Sequence, residues 1–245
     1  MSARKFTPLR FPVWKIPAHA LVAAALSAAV SNVGRAQALP TSTPFIATVD
    51  YSQTLRLRDG AETVTRRSWE ISRDGQGRMR IDWGSHALIA DPVQRLYFDV
   101  DVERGTIKQR EMVRPEELAA RTQASAPQQD TTSSPLTTTA LGTKMIEGFL
   151  CEGELVTQSL QFENGELDEP IRIETEIWRA VDLRTPVLVL QSNSLGQETR
   201  YALTNIRLEE PSPAEFRPPE GFVKVPNHTA GLEDVAAVRP GVGLP

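Results

Sequence analysis

The sequence predicts a mainly β protein: one strongly curved antiparallel sheet, a half barrel, with few short helices. Three observations carry this. Apolar and polar residues alternate with period two through most of residues 45–208, the signature of strands with one covered face. Turn signals such as Asp59-Gly60, Asp74-Gly75 and Asp91-Pro92 recur between the runs. The first run, residues 45–58, would extend about 45 Å as a strand, a length that suits a twisted, curled sheet better than a flat one.

In "FIATVDYSQTLRLR", Phe45, Ala47, Val49, Tyr51, Leu55 and Leu57 share one face. Asp59-Gly60 then supplies a tight hairpin turn into "TVTRRSWEIS", where Trp69 and Ile71 oppose Glu70. In "RMRIDW", Met79, Ile81 and Trp83 alternate with Arg78, Arg80 and Asp82, which are expected to meet water. "ALIA", Asp91-Pro92 and "RLYFDV" form a further hairpin carrying Phe98, and "DVERG" turns into "TIKQREMV". This is an antiparallel meander of about six strands.

"RPEELAAR" allows one or two helical turns. The Ser/Thr-rich segment 122–140 carries one charge and reads as a flexible, exposed excursion from a single domain. Two strands follow around Glu147-Gly148. "IRIETEIWRAV" alternates, with Trp178 near its end, and "VLVLQS" reads as a fully covered strand. In "ETRYALTNIRL" the apolar phase shifts between Leu203 and Ile206, so a β-bulge is expected near Thr204-Asn205.

Residues 1–38 differ from the rest. Arg4, Lys5, Arg10 and Lys15 precede a 13-residue apolar core, Ala18–Val30, and Ala36-Gln37-Ala38 offers a cleavage site. That order describes a secretory signal peptide cut after Ala38, and the core is too short to span a bilayer. The domain organisation read here is therefore a signal at 1–38, one β domain at 39–226 and a disordered tail at 227–245. The expected location is periplasmic or secreted, with no span after signal removal. Signal removal subtracts five basic residues from 27 and none from the 31 acidic ones, leaving a net charge of −9. Such a balance argues against binding nucleic acid or anionic lipid headgroups through a broad charged face. Cys151 is the single cysteine, so core packing rather than an intrachain disulfide must hold the chain.

The order of segments resembles the LolA-like superfamily, which includes periplasmic lipoprotein carriers, outer-membrane lipoprotein receptors and sensor domains of sigma-factor regulators. The resemblance rests on "ATVDYSQTLRLRDG", "RRSWEISRDGQGRMRIDW", "LIADPVQRLYFDVDVERGTIKQ", "LGTKMIEGFLCEG" and "EPSPAEFRPPEGFVKV", roughly residues 45–225. It implies a half barrel with an apolar concave side. It assigns no binding residue.

Catalytic chemistry is poorly provided for. His86 and His228 are the only histidines after the leader, without a second His or Cys at metal spacing. G-x-S-x-G, H-E-x-x-H and a phosphate loop are absent. Asp99, Asp101 and Glu103 alternate before Gly105 as in a calcium loop, but the glycine and the expected terminal glutamate are out of place, so a solvated turn fits better. No metal, cofactor or enzymatic activity is expected. The remaining candidates are Tyr51, Trp69, Met79, Ile81, Trp83, Phe98 and Trp178, which read either as ordinary core or as the lining of an apolar cavity. The expected function is non-catalytic binding of an apolar or lipidated ligand, such as lipid or lipoprotein acyl chains, in the cell envelope. The alternative is an interaction or sensor module that contacts another envelope protein through its sheet.

Overall fold

A computed structural model describes residues 42–57, 59–113, 131–133, 136–162 and 169–226, all within one compact unit, Arg35–His228. The expected signal, the tail from 227, the "RPEELAAR" turn and residues 122–130 lie outside the described residues.

Strands β1 (Phe45–Arg56), β2 (Glu62–Arg73), β3 (Met79–Asp82), β4 (His86–Asp91), β5 (Leu96–Asp101) and β6 (Thr106–Glu111) form the expected meander. They are followed by β7 (Thr131–Ser133), β8 (Thr137–Ile146), β9 (Phe149–Phe162), β10 (Ile171–Ala180), β11 (Thr185–Asn193), β12 (Gln197–Arg207) and β13 (Val223–Lys224). One open sheet joins them in the order β13-β6-β5-β4-β3-β2-β1-β12-β11-β10-β9-β7, with β8 also on β9. Pairing is antiparallel except between β13 and β6. The last strand of the second meander thus docks on the first strand of the chain, and the two halves share one sheet.

The turns follow local chemistry. Glu147 and Gly148 both adopt positive φ, 51° and 83°, which is what a two-residue type I′ hairpin requires between β8 and β9. The expected bulge is present: β1 passes from Ile46↔Arg207 to Thr48↔Thr204, and Asn205 takes φ 52°. It keeps Leu203 buried, whereas Leu208 is exposed.

Three expectations need correction. The segment 122–140 is not irregular throughout, because Thr131–Ser133 and Thr137–Ala140 pair with β9. A run of threonines is polar in composition but favourable to extended backbone once a partner strand is present. "VLVLQS" is not covered along its length: only the start of β11 is buried and the rest is half-buried. Arg78, Arg80 and Asp82 do not simply meet water. A 3-10 helix at Pro213–Phe216, capped by Ser212, lies over their side of the sheet, with Phe216 packed against Ala87, Ile89, Phe98, Val100 and Ile107. Arg78 stacks over the Phe216 ring and binds Asp74, and Arg80 donates to Asp82 and to the Glu215 carbonyl.

Arg73 reveals the direction of curl. Its guanidinium donates to the Thr43 carbonyl at 2.9 Å, the Leu183 carbonyl at 2.7 Å and the Thr185 hydroxyl at 2.6 Å. Thr185 opens β11, which is separated from β2 by β1 and β12. A flat sheet would hold β2 and β11 about 14 Å apart. The sheet therefore folds over the side on which Arg73 stands, and that side is concave.

Candidate functional site

Directly opposed residues in an antiparallel pair project to the same face, so the register sorts the side chains. On the concave side, Arg73 is opposite Phe45 and Met79, Ile71 is opposite Ala47 and Ile81, and Trp69 is opposite Val49, itself opposite Leu203. The next row runs from Arg67 and Tyr51 through Tyr201 and Val189 to Ile177. Beyond it the face becomes polar, with Gln53, Thr199, Gln191 and Thr175 in line. The result is an apolar band bounded by Arg73 at one end and by a row of amides and hydroxyls at the other.

Five of the seven sequence candidates share this band. Trp69 is the centre of an aromatic ladder: its ring centroid lies 6.0 Å from Tyr51 and 6.3 Å from Trp83. Tyr51, Trp69 and Ile81 are buried and Met79 is half-buried, while Trp83 is 38% exposed and forms the rim. The indole N–H of Trp69 is buried and meets no acceptor among the described residues. Such an unmet donor costs about 1–3 kcal/mol.

The other two candidates stand elsewhere. Phe98 is opposite Ile89, and Ile89 is opposite Arg80, which places Phe98 on the other face, under Phe216. Trp178 also lies on that face, across Gly153, where its indole donates to Glu176 and its ring takes Lys144 Nζ at 3.7 Å from the centroid. The sequence reading missed Tyr201 and Thr199 as members of the concave site. The alternation in "ETRYALT" puts both on one face, and only pairing with β1 brings that face to Tyr51.

Burial pushes the Tyr51 phenol up, against the opposing influence of the Thr199 hydroxyl and the Arg67 charge, and burial pushes the Tyr201 phenol up as well. A phenol raised in the folded state contributes stability that is complete below its ordinary value near 10 and is lost as pH climbs from there toward the folded value. Burial also lowers Arg73 to about 10, which acts in the opposite sense over the same range. The melting temperature of Tyr201→Phe should therefore fall less than that of wild type between pH 9 and 11.5, with Arg73 common to both. Parallel curves would contradict a buried Tyr201 hydroxyl.

Near the rim, Ser85 Oγ lies 3.1 Å from His86 Nδ1, and His86 Nε2 is 3.6 Å from Asp101. This sequence of groups superficially suggests an activated serine. The second distance is too long for a hydrogen bond, and the adjacent amides are engaged, Gly84 N–H with Asp82 and Ser85 N–H with the Trp83 carbonyl. The Ser85 hydroxyl has no pair of donors from these amides to stabilise an oxyanion. Among the described residues no cluster of three His, Cys, Asp or Glu side chains is placed to hold a metal. Cys151 is buried, its thiol raised by burial and donating to the Phe149 carbonyl, as an inert packing residue would be. No described helix is long and apolar enough to cross a membrane.

No protein-family model matches the chain, and no curated protein does. Among solved structures it is similar to MucB, at TM-score 0.37 and 15% identity, covering 83% of this chain and 65% of that one. It is also similar to the lipoprotein LppX of Mycobacterium tuberculosis, at TM-score 0.30 and 11% identity, covering 80% of this chain and 99% of that one. A LolA superfamily protein from Nitrosomonas europaea is matched at TM-score 0.24 and 9% identity, covering 72% and 90%. The chain thus spans about two thirds of the length of MucB, 65%. None of these likenesses carries a ligand, partner or activity over to this chain.

Proposed function

We propose that this protein binds an acyl-type amphiphile along its concave face, without catalysing a reaction, in the cell envelope. The observation that carries this is Trp69. It sits buried between Tyr51 and Trp83 in an apolar band, with an indole N–H that no group among the described residues accepts. An acyl chain is the apolar ligand such a band would take, and an ester or carboxyl oxygen at its head would give the Trp69 indole N–H an acceptor. The basic leader, its short apolar core and Ala36-Gln37-Ala38 support export with cleavage after Ala38.

A second reading, an envelope interaction module, has an observation of its own. Strand β8 is exposed over nearly its whole length and pairs only with β9 among the described strands, leaving an edge that an extended partner segment would extend.

Titration with a fluorescent fatty acid tests the first reading. Trp83 lies at the rim, so Trp83→Ala should weaken probe binding about fivefold or more while moving the urea midpoint little. Unchanged affinity in the variant, or no uptake by wild type, would reject the concave face as the binding site. Native mass spectrometry of protein from its own envelope separates the two readings: a lipid mass supports the first, and a bound polypeptide the second.

A further inference from the structure

We propose that the face opposite the concave one carries a site for a protonated phosphomonoester, formed by Arg66, Arg200, Ser52 and Asp50 on β2, β1 and β12. Ser52 is directly opposite Arg66 on one side and Arg200 on the other, so the three project from one row of the sheet. Adjacent strands are about 4.8 Å apart, which sets two guanidinium stems within about 10 Å with a hydroxyl between them. The next row holds Ser68 and Asp50. Asp50, Ser52, Arg66, Ser68 and Arg200, together with Tyr51 and Arg67, line an open pocket of about 430 Å³.

Two like charges at this spacing repel, and a carboxylate between them would be the ordinary remedy. Among the described residues no carboxylate forms an ion pair with either arginine. Asp50 accepts from Ser68 at 3.2 Å and from Thr204 at 2.9 Å. Glu198 pairs with Arg56 at 3.1 Å, and Glu176 takes Lys144 and the Trp178 indole. Arg66 and Arg200 keep no ion-pair or hydrogen-bond partner among the described residues, although acidic residues outnumber basic ones in the chain. The pair is complementary to an anion.

The donor set points to phosphate chemistry. Two guanidinium forks and the Ser52 hydroxyl match three acceptor oxygens, whereas a carboxylate offers two. Asp50 supplies the discrimination. A carboxylate beside the anion repels a fully ionised group but accepts a hydrogen bond from a P–OH, and a phosphomonoester with a second pKa of about 6 retains that proton in part of the population at pH 6. Sulfate has no proton to give. The same chemistry occurs in a soluble phosphomonoester and in the headgroup of phosphatidic acid.

Calorimetric titration at pH 6 and low ionic strength, with inorganic phosphate and then sulfate, provides the test. Wild type should prefer phosphate by about tenfold or more, and Arg66→Gln/Arg200→Gln should lose phosphate affinity by at least that factor. Asp50→Asn should bring the two anions to within about twofold, with circular dichroism and urea midpoints confirming that each variant folds. Phosphatidylcholine vesicles with and without phosphatidic acid distinguish the source: cosedimentation only with the acidic lipid, displaced by phosphate, identifies a headgroup, and phosphate binding without cosedimentation identifies a soluble ester. Equal binding of sulfate, no phosphate binding, or an unchanged double variant would overturn the site. So would a preference for oligoglutamate over phosphate, which would assign the arginines to an acidic polypeptide.

Discussion

Ile81→Asp is expected to leave most of the protein unfolded at 25 °C in urea titrations that wild type survives. Ile81 is 1% exposed and lies on the concave side between Ile71 and Leu88. No cation is registered directly opposite it on either neighbouring strand, so the new carboxyl must remain charged in an apolar setting or take up a proton. Either course costs about 4 kcal/mol or more, against a total stability of about 5–15 kcal/mol for a domain of this kind. Because a protonated carboxyl is cheaper to bury, the variant should recover part of its stability between pH 7 and pH 5 relative to wild type. An unfolding free energy within about 1 kcal/mol of wild type would show that Ile81 faces water. Arg80→Glu is the informative companion. Alternation alone makes Arg80 a solvated residue, yet it donates to Asp82 at 2.6 Å and to the Glu215 carbonyl at 3.2 Å. A glutamate there would face a carboxylate and a carbonyl, and a loss of about 1–2 kcal/mol is expected.

Gly153→Val is expected to destabilise by about 3 kcal/mol, at the upper end of what overpacking costs. A Cβ at Gly153 would come within 2.6–2.7 Å of three carbons of the Trp178 ring. The ring cannot simply swing aside, because its indole donates to Glu176 and its face holds Lys144. Replacing Trp178 as well should restore much of the loss: Gly153→Ala/Trp178→Leu should be less destabilised than the sum of its single changes. Additive effects would mean that the ring does not cross Gly153. The near-ultraviolet circular dichroism of Trp178 should change in Gly153→Val even where the far-ultraviolet spectrum does not.

Strand identity and hairpin position were legible in the sequence because both are local. Alternation in "FIATVDY" and paired positive-φ residues such as Glu147-Gly148 act within a few residues, and the bulge near Asn205 announced itself as a phase shift. The grouping of the aromatics was legible only where it stayed within neighbouring strands. Tyr51, Trp69, Ile81 and Trp83 follow one another through β1, β2 and β3 and its following residue, so their faces could be matched. Across β3 and β4 this continuity fails, because Ile81 is opposite Leu88 while the more deeply buried Ile89 is opposite Arg80. Hydrophobicity on β4 therefore reports the core under Phe216, and Phe98 follows it to that side.

The chain by itself determined the elements, the turns and an apolar face for the first strands, since each depends on residues close in sequence. Tertiary structure decided which faces coincide. A side chain's face depends on register, and a shift of one residue reverses it. Curl is likewise a property of the whole sheet: it brings Arg73 to the Leu183 carbonyl, 110 residues away. No local pattern encodes that contact, and it is the contact that marks which side is concave.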